Sequence, residues 1–282
     1  MRFGVDVPIK GEYFDPRVLA DLAYTAEESG WDGFFVWDHI SLDLSEPICD
    51  PWVALSAIAL RTHRIRIGPM VTPIPRRRPW KLARETVTID HLSDGRLTLG
   101  VGIGSPADVE FESFGEEGDV KIRAAMLDEG LEVLTGLWTG EPLTYRSEHY
   151  RLTDKVFLPR PVQTPRIPIW VGANWPNKAP LRRAARWDGV FPIFRDNGNN
   201  MTPEVMRAVI AYVTEQRSTD SPFDIVVSGL PPGEDRAEEA EMVDAYAELG
   251  VTWWIAPGWA DSVEECRKRI SRGPPRDRRE PT

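Results

Sequence analysis

Three stretches of this chain carry residues suited to chemistry, and each lies where a short strand-like run ends. His39 closes the first, Gly33-Phe34-Phe35-Val36-Trp37-Asp38-His39. Imidazole gives or takes a proton near neutral pH, which hydride or peroxide chemistry requires. It can equally be a structural histidine, fixed by Asp38 or by a backbone carbonyl. Asp38 either orients that ring or caps the following loop, because neighbours on a strand point to opposite faces. The second stretch is Gly100-Val101-Gly102-Ile103-Gly104-Ser105, a buried strand delivering glycines at its carboxyl end, where a flat ligand can lie against backbone. The third is Ile169 to Pro180, in which a strand runs through Gly172, Ala173, Asn174 and Trp175 to a helix start. There Asn177 is a candidate cap, Pro180 falls in the first turn, and Lys178 adds a positive charge. Such a start either binds a phosphate through its free amides or is simply capped.

These stretches need a scaffold, and strand and helix signals alternate about eight times along the chain. Strands are read at Phe3 to Val7, Gly33 to Trp37, Arg64 to Met70, Leu97 to Val101, Ile167 to Gly172, Gly189 to Phe194, Asp224 to Ser228 and Thr252 to Ala256. Between them fall helices at Asp15 to Ser29, Pro51 to Arg61, Trp80 to Leu92, Val120 to Trp138 and Pro180 to Trp187. Residues 140–166 break the rhythm, and their prolines predict an extended excursion or hairpin. Eight such units in 282 residues favour a closed (β/α)8 TIM barrel over 1–272, with a frayed tail at 273–282. No GxGxxG follows the first strand, which weakens a nicotinamide-binding reading. In a barrel the chemistry sits at the carboxyl ends of the strands, which is where all three stretches fall.

Composition removes other classes. A formal charge of −10 argues against a nucleic-acid partner. The run Arg76-Arg77-Arg78 is either a solvated loop before Pro79 or an anion or cofactor-tail contact. Cys49 and Cys266 stand alone, and His63, His91 and His149 read as structural or surface residues. No metal site is expected, which disfavours a metal-dependent hydrolase. The start lacks a signal-like apolar segment and no stretch reaches transmembrane length, so a cytoplasmic protein with no membrane partner is expected. Of the eleven tryptophans most read as core, as with Trp138 and Trp187, while Trp37 and Trp175 adjoin strand mouths.

Taken together, GWDGFFVWDH, RIRIGPMVTPIPRRRPWKLARE, DHLSDGRLTLGVGIG, FGEEGDVKIRAAMLDEGLEVLTGLW and PRPVQTPRIPIWVGANWPNKAPLRRAARWDG resemble the bacterial-luciferase-like family of flavin- and deazaflavin-dependent oxidoreductases. The resemblance spans residues from about 30 to 190 and implies a (β/α)8 barrel with an excursion. It implies a non-proline cis peptide in GPMVT, with Met70, Val71 and Thr72 behind the ring. It puts Asp38 and His39 in the pocket, and Ile103, Gly104 and Ser105 against ring or ribityl chain. Gly172, Ala173, Asn174, Trp175, Asn177 and Lys178 would mark the phosphate end. In one departure Ser105 stands where the deazaflavin-dependent sugar-phosphate dehydrogenases carry an acidic glutamate. The Asp38-His39 pair is similar to theirs and tilts the cofactor toward coenzyme F-420, with FMN the alternative. The reading implied is a homodimeric oxidoreductase or monooxygenase acting on a small organic substrate. A non-catalytic flavin- or ligand-binding barrel is its rival.

Overall fold

A computed structural model describes residues 1–42, 45–193, 202–229 and 236–275. β1 (Arg2–Val7) leads to α1 (Pro16–Glu28), and β2 (Gly33–Val36) to α2 (Pro51–Arg61). β3 (Arg66–Pro69) and β4 (Thr72–Pro73) precede α3 (Pro79–Leu92); β5 (Leu99–Gly102) precedes α4 (Ala107–Glu110) and α5 (Val120–Trp138). β6 (Leu143–Arg146) and β7 (Arg151–Lys155) pair antiparallel in the segment that interrupts the alternation. The rhythm then resumes with β8 (Ile169–Asn174), α6 (Lys178–Ala184), β9 (Gly189–Ile193) and α7 (Pro203–Gln216). β10 (Asp224–Ser228), α8 (Arg236–Glu248), β11 (Trp253–Pro257) and α9 (Val263–Ser271) complete it.

Helix starts follow local chemistry. Asp15, Asp50 and Asp119 each accept backbone N–H bonds at an N-cap, and Pro16 and Pro51 open the first turns of α1 and α2. Asn177 does stand at the N-cap of α6, but its side chain makes no capping bond, and the helix begins at Lys178 rather than Pro180.

The parallel sheet runs β3-β2-β1-β11-β10-β9-β8-β5-β4. It closes because Ile67 bonds across to the next strand: its N–H donates to Arg96 O (3.0 Å) and its carbonyl accepts from Thr98 N–H (2.9 Å). β3 and β4 are two halves of one barrel strand, separated by the cis Met70–Val71 peptide. The sequence predicts a strand uninterrupted to Met70, whereas the ladder to β2 stops at Pro69 and pairing resumes on β5 at Thr72. Strand six was expected to reach Phe194, which lies outside the described residues, as do 276–282 of the expected tail.

Alternation sorts the strand residues into two cores. Val5, Val36, Ile67, Leu99, Val101, Val171 and Val190 face the helices. Phe35, Met70, Trp170, Phe191, Val226, Trp253 and Ile255 fill the barrel. Trp170 packs edge-on to Trp253 (ring centroids 5.2 Å apart) and tilted against Phe35 (5.5 Å), closing the interior. A ligand must therefore approach from above this plug, at the carboxyl ends of the strands.

Candidate active site

The floor of the barrel mouth is built by the interrupted strand. Val71 turns into the space above Gly100, Gly102 and Gly172. A Cβ on Gly100 would lie 2.3 Å from Pro69 O and 3.0 Å from Met70 Sδ, and one on Gly102 would lie 2.9 Å from Val71 Cγ2. Gly100 and Gly102 of the second stretch thus make room for the Met70–Val71 bulge, and through it shape the surface a ligand would meet. Gly104 adopts φ +81°, in the region that favours glycine. Its carbonyl and that of Ile103 both accept from Arg123 (3.0 Å each), which fixes the loop leading to exposed Ser105.

Strand alternation then decides what Trp37, Asp38 and His39 do. Trp37 and His39 fall on the mouth side, where their rings meet edge to face at 5.9 Å. Asp38 points the other way and is buried, 3% exposed. Its carboxylate accepts from Thr72 Oγ1 (2.7 Å), Arg76 (2.8 Å) and Arg77 (2.8 Å to each oxygen). Asp38 was expected in the pocket. In the structure both its oxygens are taken up by Thr72, Arg76 and Arg77. Thr72, expected beside Met70 and Val71, is fully buried, and its hydroxyl donates to Asp38. Two members of the arginine run are accounted for by this cluster and not by solvent.

Glu110, at the end of α4, was not singled out in the sequence. It is 1% exposed and accepts from the backbone N–H of Ile40 (3.2 and 3.1 Å) and Ser41 (2.9 Å), and from Arg76. His39 Nδ1 lies 3.5 Å from Glu110 Oε1, too far for a well-formed hydrogen bond. Burial alone would raise the Glu110 carboxyl. His39, the two backbone amides and Arg76 outweigh it and hold the group below its ordinary 4.5. A cavity of about 320 Å³ opens beside His39, with Ile40, Ile48 and Cys49 on one side and Arg76 and Arg77 on another. Burial pushes the Cys49 thiol up to about 11, which removes it as a nucleophile near neutral pH. A larger cavity, about 690 Å³, lies at the opposite end of the barrel around Arg2, Trp31 and Arg66, away from these groups.

The third stretch divides. Gly172 and Asn174 face the mouth, but Ala173 is fully buried among the outer core residues and its side chain is turned from any ligand there. The Lys178 ammonium sits over the rings of Trp175 (4.2 Å) and Tyr212 (4.3 Å). Asn177 is exposed beside it. The remaining histidines are structural or peripheral: His91 Nε2 meets Arg160 O (2.7 Å), and His149 Nδ1 meets Glu129 (2.9 Å). Among the described residues no cluster of metal-ligating side chains occurs and no helix is long and apolar enough to cross a membrane.

A second residue the sequence reading missed is Asp6, near the end of β1. Its Oδ2 accepts from Trp37 Nε1 (2.9 Å), while Oδ1 is shut off from solvent and has no partner among the described residues. Burial, partly offset by that indole bond, pushes its carboxyl from 3.8 up to about 7.

With this geometry in place, three comparisons bear on ancestry. An F-420-dependent glucose-6-phosphate dehydrogenase from Nakamurella multipartita is 36% identical over 197 residues, covering 66% of this chain and 54% of that protein. The chain spans about half the length of the first curated relatives it matches. A monooxygenase structure from Streptomyces bottropensis superposes with TM-score 0.80 at 21% identity, covering 96% of both chains. An F-420-dependent secondary alcohol dehydrogenase, solved with an F-420–acetone adduct, superposes with TM-score 0.80 at 17% identity over 98% of this chain and 99% of that one. The two superpositions share this chain's overall fold, and the luciferase-like monooxygenase model matches residues 1–269. The chain belongs to the luciferase-like monooxygenase family.

Proposed function

We propose that this protein is an oxidoreductase that holds reduced coenzyme F-420 at the barrel mouth and acts on a small, uncharged organic substrate. The observation that carries the reading is the floor itself. Met70 and Val71 present an apolar surface seated on Gly100 and Gly102, with a quarter-exposed imidazole at its rim. That surface fits a flat ring. Met70 and Val71 would back it, the Ile103–Ser105 loop and Gly172 and Asn174 would flank it, and Trp175, Asn177 and Lys178 lie farther along the same rim. FMN would meet the same surface and is the alternative.

A reduced deazaflavin, when bound, supplies a hydride. The chain supplies position and a proton site. Asp38 gathers Thr72, Arg76 and Arg77, and Arg76 ties Asp38 to Glu110, so the loops after the second and third barrel strands are locked together. Glu110 stays ionised beside His39, and its negative charge favours a proton on the ring that His39 can give or take at the mouth. The neighbouring cavity is mixed, with Ile40, Ile48, Cys49 and Pro51 on one part of its wall and Asp50, Arg76 and Arg77 on the rest.

The substrate preference rests on where the charges go. Arg76 and Arg77 are committed to buried carboxylates, and Lys178 stands over two rings; the resemblance adds Ser105 where the sugar-phosphate enzymes carry an acid. A homodimer, a cytoplasmic setting and one barrel domain over 1–272 belong to the same proposal. Titration of the purified protein with F-420 and with FMN, followed by quenching of cofactor fluorescence, tests it. Micromolar or tighter binding of F-420 alone is the expected result. Preferential FMN binding would move the chemistry to oxygen activation, and binding of neither would favour a barrel that does not use these cofactors.

A further inference from the structure

Asp6 is not part of the His39 network, and its surroundings give it a separate use. It pairs in register with Phe35 on β2 and Pro257 on β11, and lies two residues above Gly4 on the inward face of β1. That places it in the uppermost inward layer, on the opposite side of Trp37 from His39. From β2 it is faced by Phe35 and Trp37, and from β11 by Pro257; none of these is charged. The titratable His39 ring lies beyond the Trp37 indole (5.9 Å between the two rings), and Trp259 packs on that indole at 6.3 Å. One carboxyl oxygen is occupied by the indole N–H and the other has no partner among the described residues. A buried carboxyl without a cation or a second donor is more stable as the neutral acid. The residue as a whole keeps some exposure although Oδ1 has none; turning the soft terminal torsion to bring Oδ1 toward a ligand gives up the indole bond to Oδ2.

We infer that Asp6 acts in its neutral form, in which its Oδ1–H donates a hydrogen bond to an uncharged carbonyl oxygen of a ligand bound in the mouth. The inference rests on the mouth being the ligand site. The carbonyl belongs either to the cofactor ring or to the substrate. An ionised Asp6 would instead turn two lone pairs toward that oxygen, so ligand affinity falls as the group loses its proton. Burial that raises the carboxyl to about 7 sets the range in which this happens.

The test begins with protein labelled with ¹³C at the aspartate carboxyl carbons. One resonance is expected to titrate near pH 7, to vanish in Asp6→Asn, and to titrate higher in Trp37→Phe, which removes the indole bond. Titration of every aspartate below pH 5 overturns the inference. Affinities for F-420, and for cyclohexanone with and without F-420, are then compared between pH 6 and 8.5. The wild type is expected to lose affinity about tenfold relative to Asp6→Asn, whose amide remains a donor throughout. Loss in the F-420 arm assigns the carbonyl to the cofactor, and loss in the cyclohexanone arm assigns it to the substrate. Parallel profiles for the two proteins in both arms overturn the inference even if F-420 binds. If F-420 fails to bind at any pH, the proposed function is overturned, and cyclohexanone binding to the free protein alone decides the role of Asp6.

Discussion

His39 and Asp38 are neighbours in sequence and opposites in environment, and the difference predicts different phenotypes. The His39 imidazole reaches the mouth, so His39→Ala should lower turnover by about a hundredfold or more while leaving cofactor affinity essentially unchanged. Steady-state kinetics beside a binding titration checks this, and undiminished turnover would remove His39 from the chemistry. Asp38→Asn should act on stability. It leaves Arg76 and Arg77 without their shared carboxylate, a loss of about 3–5 kcal/mol for a broken buried pair, read as a lower urea midpoint. His39 was legible because its type and its place at a strand end both point to proton transfer. Glu110 was not, since it reaches His39 from a four-residue helix 71 positions away in sequence. Asp6 could have been found: an acid near the end of the first barrel strand meets the same placement rule that selected His39.

At the scale of elements, the strand that breaks at Met70–Val71 organises the site. Helix positions were readable because caps and apolar spacing are local signals; α5 has the predicted bounds, and the antiparallel β6–β7 pair occupies the predicted excursion. The break itself was anticipated only by resemblance. Its cause is non-local: Gly100 and Gly102 on the next strand leave the volume that Val71 enters. Residue patterns within one strand carry no record of space left by another. Gly100→Ala should therefore displace the floor, costing about 1–3 kcal/mol and most of the cofactor affinity. Gly229→Ala, where an added Cβ meets nothing within 4 Å, should leave both unchanged. Thermal melts and cofactor titrations of the pair decide this. Equal behaviour of the two variants would contradict the glycine account.

Across the whole molecule, an acidic chain closes around an aromatic plug and keeps a few carboxyls in opposed electrostatic states, which gives two pH windows for stability. Glu27, Glu110 and Glu129 have folded values below 4.5, held there against burial chiefly by hydrogen bonds from backbone amides and side chains. They add stability above pH 4.5 that is lost as pH falls through their folded values. Asp6 works in reverse, since its folded value rises from 3.8 to about 7. The unfolded chain releases that proton first, so stability declines as pH rises from about 4 to 7 and the loss is complete above. Asp6→Asn should consequently gain on the wild type across that interval and keep the gain at pH 8, as urea midpoints from pH 4 to 9 would register.

The claim on which these effects converge is that a flat cofactor lies on the Met70–Val71 floor. The most direct measurement labels the methyl groups of the six methionines with ¹³C, assigns Met70 by Met70→Leu, and titrates the protein with F-420. A ring stacked on the floor should shift the Met70 methyl by its ring current far more than the other five. Saturable binding that leaves Met70 unmoved would place the cofactor elsewhere and contradict the account.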